Sequence, residues 1–214
     1  PRRANAYYRG PISDHFDGFR FFDPHGAPPK DIGQLLRWMT AGGKSKWPDR
    51  VPSSYADKPP PRVDGPDWRI SYVGHASFLL QTSGLNILLD PVWAERASPF
   101  SFWGPKRVND PGIAFDLLPP IDLVLVSHGH YDQLDVDVLS RLAAKFNPRV
   151  ITPLGNDVIM KTYDPAIRAE GRDWHERIEL GCGFAVTLAP MRHWTARGIT
   201  DRNKALWAAF IIET

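Results

Sequence analysis

The stretch Ser127-His-Gly-His-Tyr-Asp-Gln-Leu-Asp135 decides how this chain is read. It holds two of the seven histidines, His128 and His130, one residue apart. Asp132 follows two positions later, with Gln133 beside it. The segment just before, Leu123 to Val126, is a short unbroken apolar run, the mark of a buried strand. The histidine pair therefore sits on the loop at the C-terminal end of that strand, where α/β sheets commonly place their sites. A His-x-His backbone lets both imidazoles turn toward one point where the loop curves, and Asp132 can lie beside them. A catalytic zinc takes three protein ligands, often histidines, and leaves a fourth position for water. A third histidine, His193, follows another expected strand, Phe184 to Leu188, and can meet the first two at the same sheet edge. His15, His25 and His175 are read as ordinary surface or core residues.

Outward from this stretch the pattern is alternating α/β with sheet-rich opening segments. Trp68 to Val73, Ser77 to Gln81 and Leu85 to Leu89 read as strands, punctuated by Gly74 and Gly84. After the histidines, Leu134, Val138, Leu139 and Leu142 form one apolar helical face, with Lys145 near its end and Pro148 beyond. A strand from Val150 to Thr152, a helix near Asn156 to Thr162 and a last strand from Leu206 to Ile212 complete the order. Residues 1–66 are expected to form a separate Pro-rich arm, and 67–214 the domain proper. Pro11, Pro24, Pro28, Pro29, Pro48, Pro52, Pro59, Pro60, Pro61 and Pro66 break up any long element in the arm. One short helix, Ile32 to Ala41, fits there, ended by Gly42 and Gly43. Phe16, Phe19, Phe21, Phe22, Trp38, Trp47 and Tyr55 give the arm apolar anchors. It is read either as an extended arm packed on the domain or as a lip over a hydrophobic substrate.

Composition narrows the chemistry. The 214 residues are 43% apolar and 23% charged, ordinary for a globular chain. A net charge of +2 gives no electrostatic footprint for nucleic acid, and no basic module is visible. Cys182 is the one cysteine, so a metal site must be built from His, Asp or Glu. No apolar run approaches the roughly 20 residues that span a bilayer. No signal-peptide pattern is present, but the chain begins at Pro1 and not Met, so a missing N-terminal targeting segment stays open. The compartment is read as cytoplasmic or membrane-peripheral.

His128-Gly-His-Tyr-Asp-Gln133 resembles the His-x-His-x-Asp-His motif of the metallo-β-lactamase fold. Tyr72-Val-Gly-His-Ala-Ser77, Leu88-Leu-Asp-Pro91, Arg96-Ala-Ser-Pro99, Gly104-Pro-Lys-Arg107, Leu118-Pro-Pro-Ile-Asp122, Thr152-Pro-Leu-Gly155 and His193-Trp-Thr-Ala-Arg197 resemble one branch of it. That branch is the N-acylphosphatidylethanolamine-hydrolysing phospholipase D group with its bacterial relatives. The resemblance runs from about Val63 to the end. It implies a zinc hydrolase with an αββα sandwich and usually two metals. On the matched positions, His128, His130 and His193 would hold the first zinc, and Asp132 with residue 133 the second. Asp90 would orient metal ligands from behind, or be a turn residue before Pro91. His75 is read as a packed, hydrogen-bonded histidine.

The sequence departs from that pattern twice. Position 133 is Gln where the motif has His, and an amide oxygen is a weaker zinc ligand than imidazole. One zinc is therefore expected firmly and a second loosely or not at all; whether Gln133 is natural or introduced stays open. The later half of the family's domain, with its Gly-Asp-Thr-Gly stretch and final histidine, has no counterpart. The chain is thus expected to cover mainly the N-terminal half, with the rest on a second chain or fragment. The implied reaction is metal-assisted hydrolysis of a phosphodiester or phospholipid-like substrate, with Asp132 assisting the water. Peripheral membrane contact would go with it. A lactone or ester hydrolase, or a degenerate non-catalytic metal-binding protein, are the alternatives. Trp93, Phe100, Phe102 and Trp103 beside Lys106 and Arg107 would suit an amphiphilic phosphate, or simply form a packed loop with solvated charges.

Overall fold

The computed structural model describes residues 4–26, 32–42, 48–100, 102–181 and 183–214. Pro28, Pro29, Gly43, Trp47, Cys182 and the side chain of Trp38 lie outside the described residues. In chain order the elements are α1 (Ile32–Thr40), β1 (Arg69–Gly74), β2 (Ser77–Thr82), β3 (Leu85–Leu89) and β4 (Leu123–Leu125). Then follow α2 (Val136–Phe146), β5 (Arg149–Pro153), α3 (Asn156–Tyr163), β6 (Arg168–Arg172), β7 (Arg177–Gly181), β8 (Phe184–Ala189) and β9 (Ala209–Glu213). Strands β1 to β6 form one sheet in sequence order; β7, β8 and β9 form a second.

Local chemistry sets these elements. The β2–β3 hairpin closes through Ser83 and Gly84, both at positive φ, the backbone that a two-residue hairpin turn demands. The sheet then switches from antiparallel pairing to parallel pairing at β3–β4. Helix α2 begins at Asp135, whose carboxylate accepts from the Val138 N–H, and ends at Asn147 in the left-handed region. Leu134, expected inside this helix, is a fully buried residue just before its cap.

Alternate residues of the large sheet feed two cores. Leu79, Leu88, Val124 and Val150 face α2 and α3 and pack on Val138, Leu139, Leu142 and Met160. Leu80, Ile87, Leu123, Leu125 and Ile151 face the second sheet and meet Ile178, Val186 and Leu188. Each such side chain removed from water contributes about 1.5–3 kcal/mol. The layers are therefore helices, sheet and sheet, which matches three of the four layers of an αββα sandwich. The outer face of the small sheet carries Ile211 at 53% exposure and the Arg177–Glu213 ion pair.

The structure differs from the sequence reading in particular places. The last strand starts at Ala209 and not at Leu206. Residues 206–208 instead run between the sheets: Leu206 N–H donates to the Leu154 carbonyl and Ala208 N–H to the Ser127 carbonyl. Strands β6 and β7 were not expected, because Arg168–Arg172 and Arg177–Gly181 carry only scattered apolar residues. Phe16 and Phe21 are buried in the inter-sheet core. Phe22 and Tyr55, expected as anchors, are exposed. Among the described residues no helix is long and apolar enough to cross a membrane.

Candidate metal centre

Strand β4 ends at Leu125, and its parallel neighbours β3 and β5 end beside it. The chain leaves this edge through Ser127 and turns into the His128–Gln133 loop. Strand β8 ends at Ala189, and the chain beyond it brings His193 to the same edge. The ligand nitrogens of His128, His130 and His193 lie within 4.8 Å of one another. His128 Nε2 stands 2.9 Å from His130 Nδ1 and 2.9 Å from His193 Nε2. His128 is buried, His130 half-buried and His193 exposed at the rim.

This arrangement fits a cation better than a hydrogen-bond network. One lone pair on His128 Nε2 faces two other ring nitrogens, and it cannot serve both well as an acceptor. His130 Nε2 is buried without a hydrogen-bond partner among the described residues. Nitrogens around a tetrahedral zinc stand about 3.3 Å apart, given Zn–N bonds of about 2.0–2.1 Å, close to what is seen. Burial and the neighbouring imidazoles depress the protonation of His128 to about 3. Burial likewise lowers His130 and His193. Three neutral imidazoles converging on a point form a ready donor set for zinc or a similar divalent ion.

Behind His128 stands a relay. Asp90 sits at the end of β3 with φ 39°, a strained conformation for a non-glycine residue. Its carboxylate accepts from the Ser127 N–H at 2.6 Å and lies 2.8 Å from the Ser127 hydroxyl. The hydroxyl in turn lies 2.9 Å from His128 Nδ1. With Asp90 ionised, the hydroxyl donates to Asp90 and accepts from Nδ1–H, which leaves Nε2 with its lone pair toward the other histidines. Burial pushes the Asp90 carboxyl up to about 7, against the Ser127 hydrogen bonds that lower it. Asp90 is thus both a turn residue and a carboxylate that acts on His128, through Ser127 and not by direct contact.

Asp132 does not join the three-histidine group. Its Oδ2 is 2.9 Å from Nε2 of His75, at the tip of the β1–β2 hairpin. His75 is hydrogen-bonded as expected, but it is 55% exposed on its side chain and not packed. Gln133 is buried, and its Oε1 has no partner among the described residues. Trp93 is half-buried against Phe115 and donates its indole N–H to the Ile113 carbonyl. It packs against the helix-side core cluster.

Three further residues shape the site, and the sequence reading gave them no role. Thr195 Oγ1 accepts from the Gly129 N–H at 3.0 Å. Arg197 donates through Nη1 to the carbonyls of Gly129 at 3.1 Å and Leu134 at 2.8 Å, with its guanidinium 4.0 Å from the Tyr131 ring centre. The Trp194 ring stands edge-on to His130 at 4.5 Å. Thr195 and Arg197 lie within four residues of His193, which was the available signal.

Residues 85–214 match the beta-lactamase superfamily domain. An uncharacterized protein of Mycobacterium tuberculosis is 31% identical over 178 residues, covering 83% of this chain and 47% of that protein. An N-acyl-phosphatidylethanolamine-hydrolyzing phospholipase D of Caenorhabditis elegans is 36% identical over 153 residues, covering 66% of this chain and 42% of that one. The chain spans less than half the length of either relative. Among solved structures, a metallo hydrolase of the archaeon Ignicoccus hospitalis superposes with a TM-score of 0.45 at 16% identity, over 68% of this chain and 55% of that one. The matched domain takes in β3 to β9 and every histidine of the candidate centre: the chain belongs to the beta-lactamase superfamily.

Proposed function

We propose that this chain carries the metal-binding part of a metal-dependent hydrolase that cleaves a phosphodiester bearing an apolar, lipid-like portion. The convergence of His128, His130 and His193 carries this reading. Those three residues would hold a zinc ion, which when bound supplies Lewis acidity and makes water a nucleophile near neutral pH. The chain's own groups do the rest. Ser127, held by Asp90, fixes the tautomer of His128. Asp132, steadied by His75, presents a carboxylate at the mouth of the site as a proton acceptor for the water. Asp132 and Gln133 are also the positions for a second, weaker cation.

Two observations support the substrate class. The named activity of the Caenorhabditis elegans relative is hydrolysis of a phospholipid. Phe100, Phe102 and Trp103 are 50%, 79% and 69% exposed on the segment that leads to Lys106. Such exposed aromatics beside a cation suit peripheral contact with a lipid surface. Gln133 favours a second reading, a metal-binding protein without turnover. A lactone or simple ester remains the alternative substrate.

The test is metal content per chain after purification without chelator, paired with hydrolysis of bis(p-nitrophenyl) phosphate and of a p-nitrophenyl ester. We expect about one zinc per chain, lost in His193→Ala, and phosphodiester turnover abolished by chelation. Zinc without turnover on either substrate would favour the second reading. Absence of bound metal would sink both.

A further inference from the structure

Beside the candidate centre lies a cavity of about 460 Å³, reached past His75 and Asp132, which form part of its wall. Tyr55, Tyr72, Val92 and Pro105 make much of the rest. Four charged side chains besides Asp132 line it: Glu95, Lys106, Arg107 and Asp110. Three of these are neutralised. Lys106 pairs with Glu95 at 2.9 Å, and Asp110 with Arg50 at 2.6 Å. Arg107 has no carboxylate at ion-pair distance among the described residues. The carboxylate of Asp135, which it feels at longer range, is engaged by the N–H groups of Trp93, Ala94 and Val138.

The guanidinium is nonetheless held firmly. Nη2 donates to the Val92 carbonyl at 2.8 Å and Nε to the Ala94 carbonyl at 3.4 Å. Backbone carbonyls orient a guanidinium without cancelling its charge. The Arg107 backbone is fixed too, by its N–H to the Glu95 carbonyl and by the bridge between Arg96 and Lys106. Nη1 lies against Gly74, where a Cβ would stand 2.5 Å from it. Gly74 has φ 148°, so a side chain there is disfavoured by conformation as well as by space. Glycine thus lets the cation reach the end of β1, one residue before His75.

We infer that Arg107 is the anion-recognising residue of a pocket beside the candidate metal centre, and that the pocket takes a monoanionic or dianionic phosphate ester with an apolar substituent. A fixed, partly desolvated guanidinium without a carboxylate partner binds phosphate with strong, charge-assisted hydrogen bonds. The tyrosines, Val92 and Pro105 supply the surface for the substituent. Lys106, which the sequence offered equally, is spent on Glu95. Calling the ligand a substrate rests on the proposed hydrolase reading; the binding site itself does not.

Binding can therefore be tested on the metal-free chain, where failure says nothing against hydrolysis. Phenyl phosphate, inorganic phosphate and benzyl alcohol are titrated into the protein and followed by heteronuclear NMR. In the wild type we expect phenyl phosphate to shift the Arg107 Nε–H resonance and to bind at least tenfold tighter than either other probe. In Arg107→Met its affinity should fall at least tenfold while benzyl alcohol binding holds. Gly74→Ala should weaken phenyl phosphate in the same direction. An unmoved Arg107 resonance in the wild type overturns the proposal without any variant having to fold. Equal affinity for phenyl phosphate in a folded Arg107→Met protein also overturns it, as binding by adventitious charge. Equal affinity for inorganic phosphate overturns the apolar part of the site.

Discussion

At the scale of single residues, the candidate centre depends on which nitrogen of His128 carries its proton. With Asp90 ionised, Ser127 sets that, because its hydroxyl has one proton to give and the carboxylate is the stronger acceptor. Removing the hydroxyl frees the imidazole to rotate and exchange tautomers. Ser127→Ala should therefore weaken zinc binding by about 10–100-fold, the range seen when such supporting groups are lost. Competition with a chromogenic chelator measures it; unchanged affinity would remove Ser127 from the relay. Gln133 poses a different question. Its amide oxygen is buried with no partner among the described residues, a position that costs about 1–3 kcal/mol unless something fills it. A second cation is one such filler, and imidazole would hold it better than an amide. Gln133→His should raise zinc content from about one toward two per chain. Unchanged stoichiometry would mean that the Asp132–His75 pair leaves no second position. The sequence showed Asp132 two positions after His130 but not its side-chain direction. That direction comes from His75, on a hairpin tip 57 residues earlier in the chain.

At the scale of elements, two loops must hold their histidines in one geometry, and the brace between them is Thr195 with Arg197. Arg197 ties Gly129 and Leu134, on either side of His130, to the segment carrying His193. Arg197→Met removes both bonds yet keeps the aliphatic stem. It should lower zinc affinity and disturb the visible spectrum of the cobalt-loaded protein, while Arg197→Lys restores part of both. A spectrum unchanged in Arg197→Met would show the brace to be idle. Where β5 meets β6, Glu170 sits between Arg149 and Arg172, and their hydrogen bonds hold its carboxyl at about 2. The folded value lies below the ordinary 4.5, so the pairing stabilises the fold above pH 4.5 and loses that contribution as the pH falls toward 2. The pair is over a third exposed in part, so its worth is about 1 kcal/mol or less. Glu170→Gln should cost that much in urea unfolding at pH 7, and the gap should close on acidification. A gap independent of pH would assign the loss to packing. These same polar residues hid β6 from the sequence: Arg-Ala-Glu-Gly-Arg has no apolar alternation. β4 was legible because burial on both faces makes every residue of Leu-Val-Leu apolar.

At the scale of the whole molecule, the large sheet is an apolar wall between two cores. The consecutive apolar residues Phe78-Leu-Leu80 and Ile87-Leu-Leu89 announced that wall, so the α/β class and the site's place at the strand ends could be read in advance. What covers the wall could not. Trp207 lies in a segment whose apolar run looks like the start of a strand. Its indole N–H donates to the Met191 carbonyl, and its own carbonyl accepts from Trp174, so it plugs the gap between the sheets. Long-range pairings of this kind have no local periodicity. The first residues of the chain behave in the same way. Phe16 and Phe21 are each 1% exposed, pack at a tilt against each other, meet the Tyr8 ring edge-on and at a tilt, and share a core with Trp174 and Trp207. His15 adds bonds to Asp14 and, across the interface, to Asp173. Phe22, next in sequence to Phe21, points outward at 39% exposure. If this packing belongs to the same cooperative unit as the sheets, Phe16→Ala should cost about 3–5 kcal/mol, as expected for an aromatic deleted from a tight core. Phe22→Ala should stay within about 0.5 kcal/mol. Urea unfolding followed by tryptophan fluorescence reports directly, since Trp174 and Trp207 lie in the affected core. A single transition that shifts to lower urea in Phe16→Ala alone would place the first residues within the fold. Equal, small effects of both substitutions would mean that the sheets stand without them.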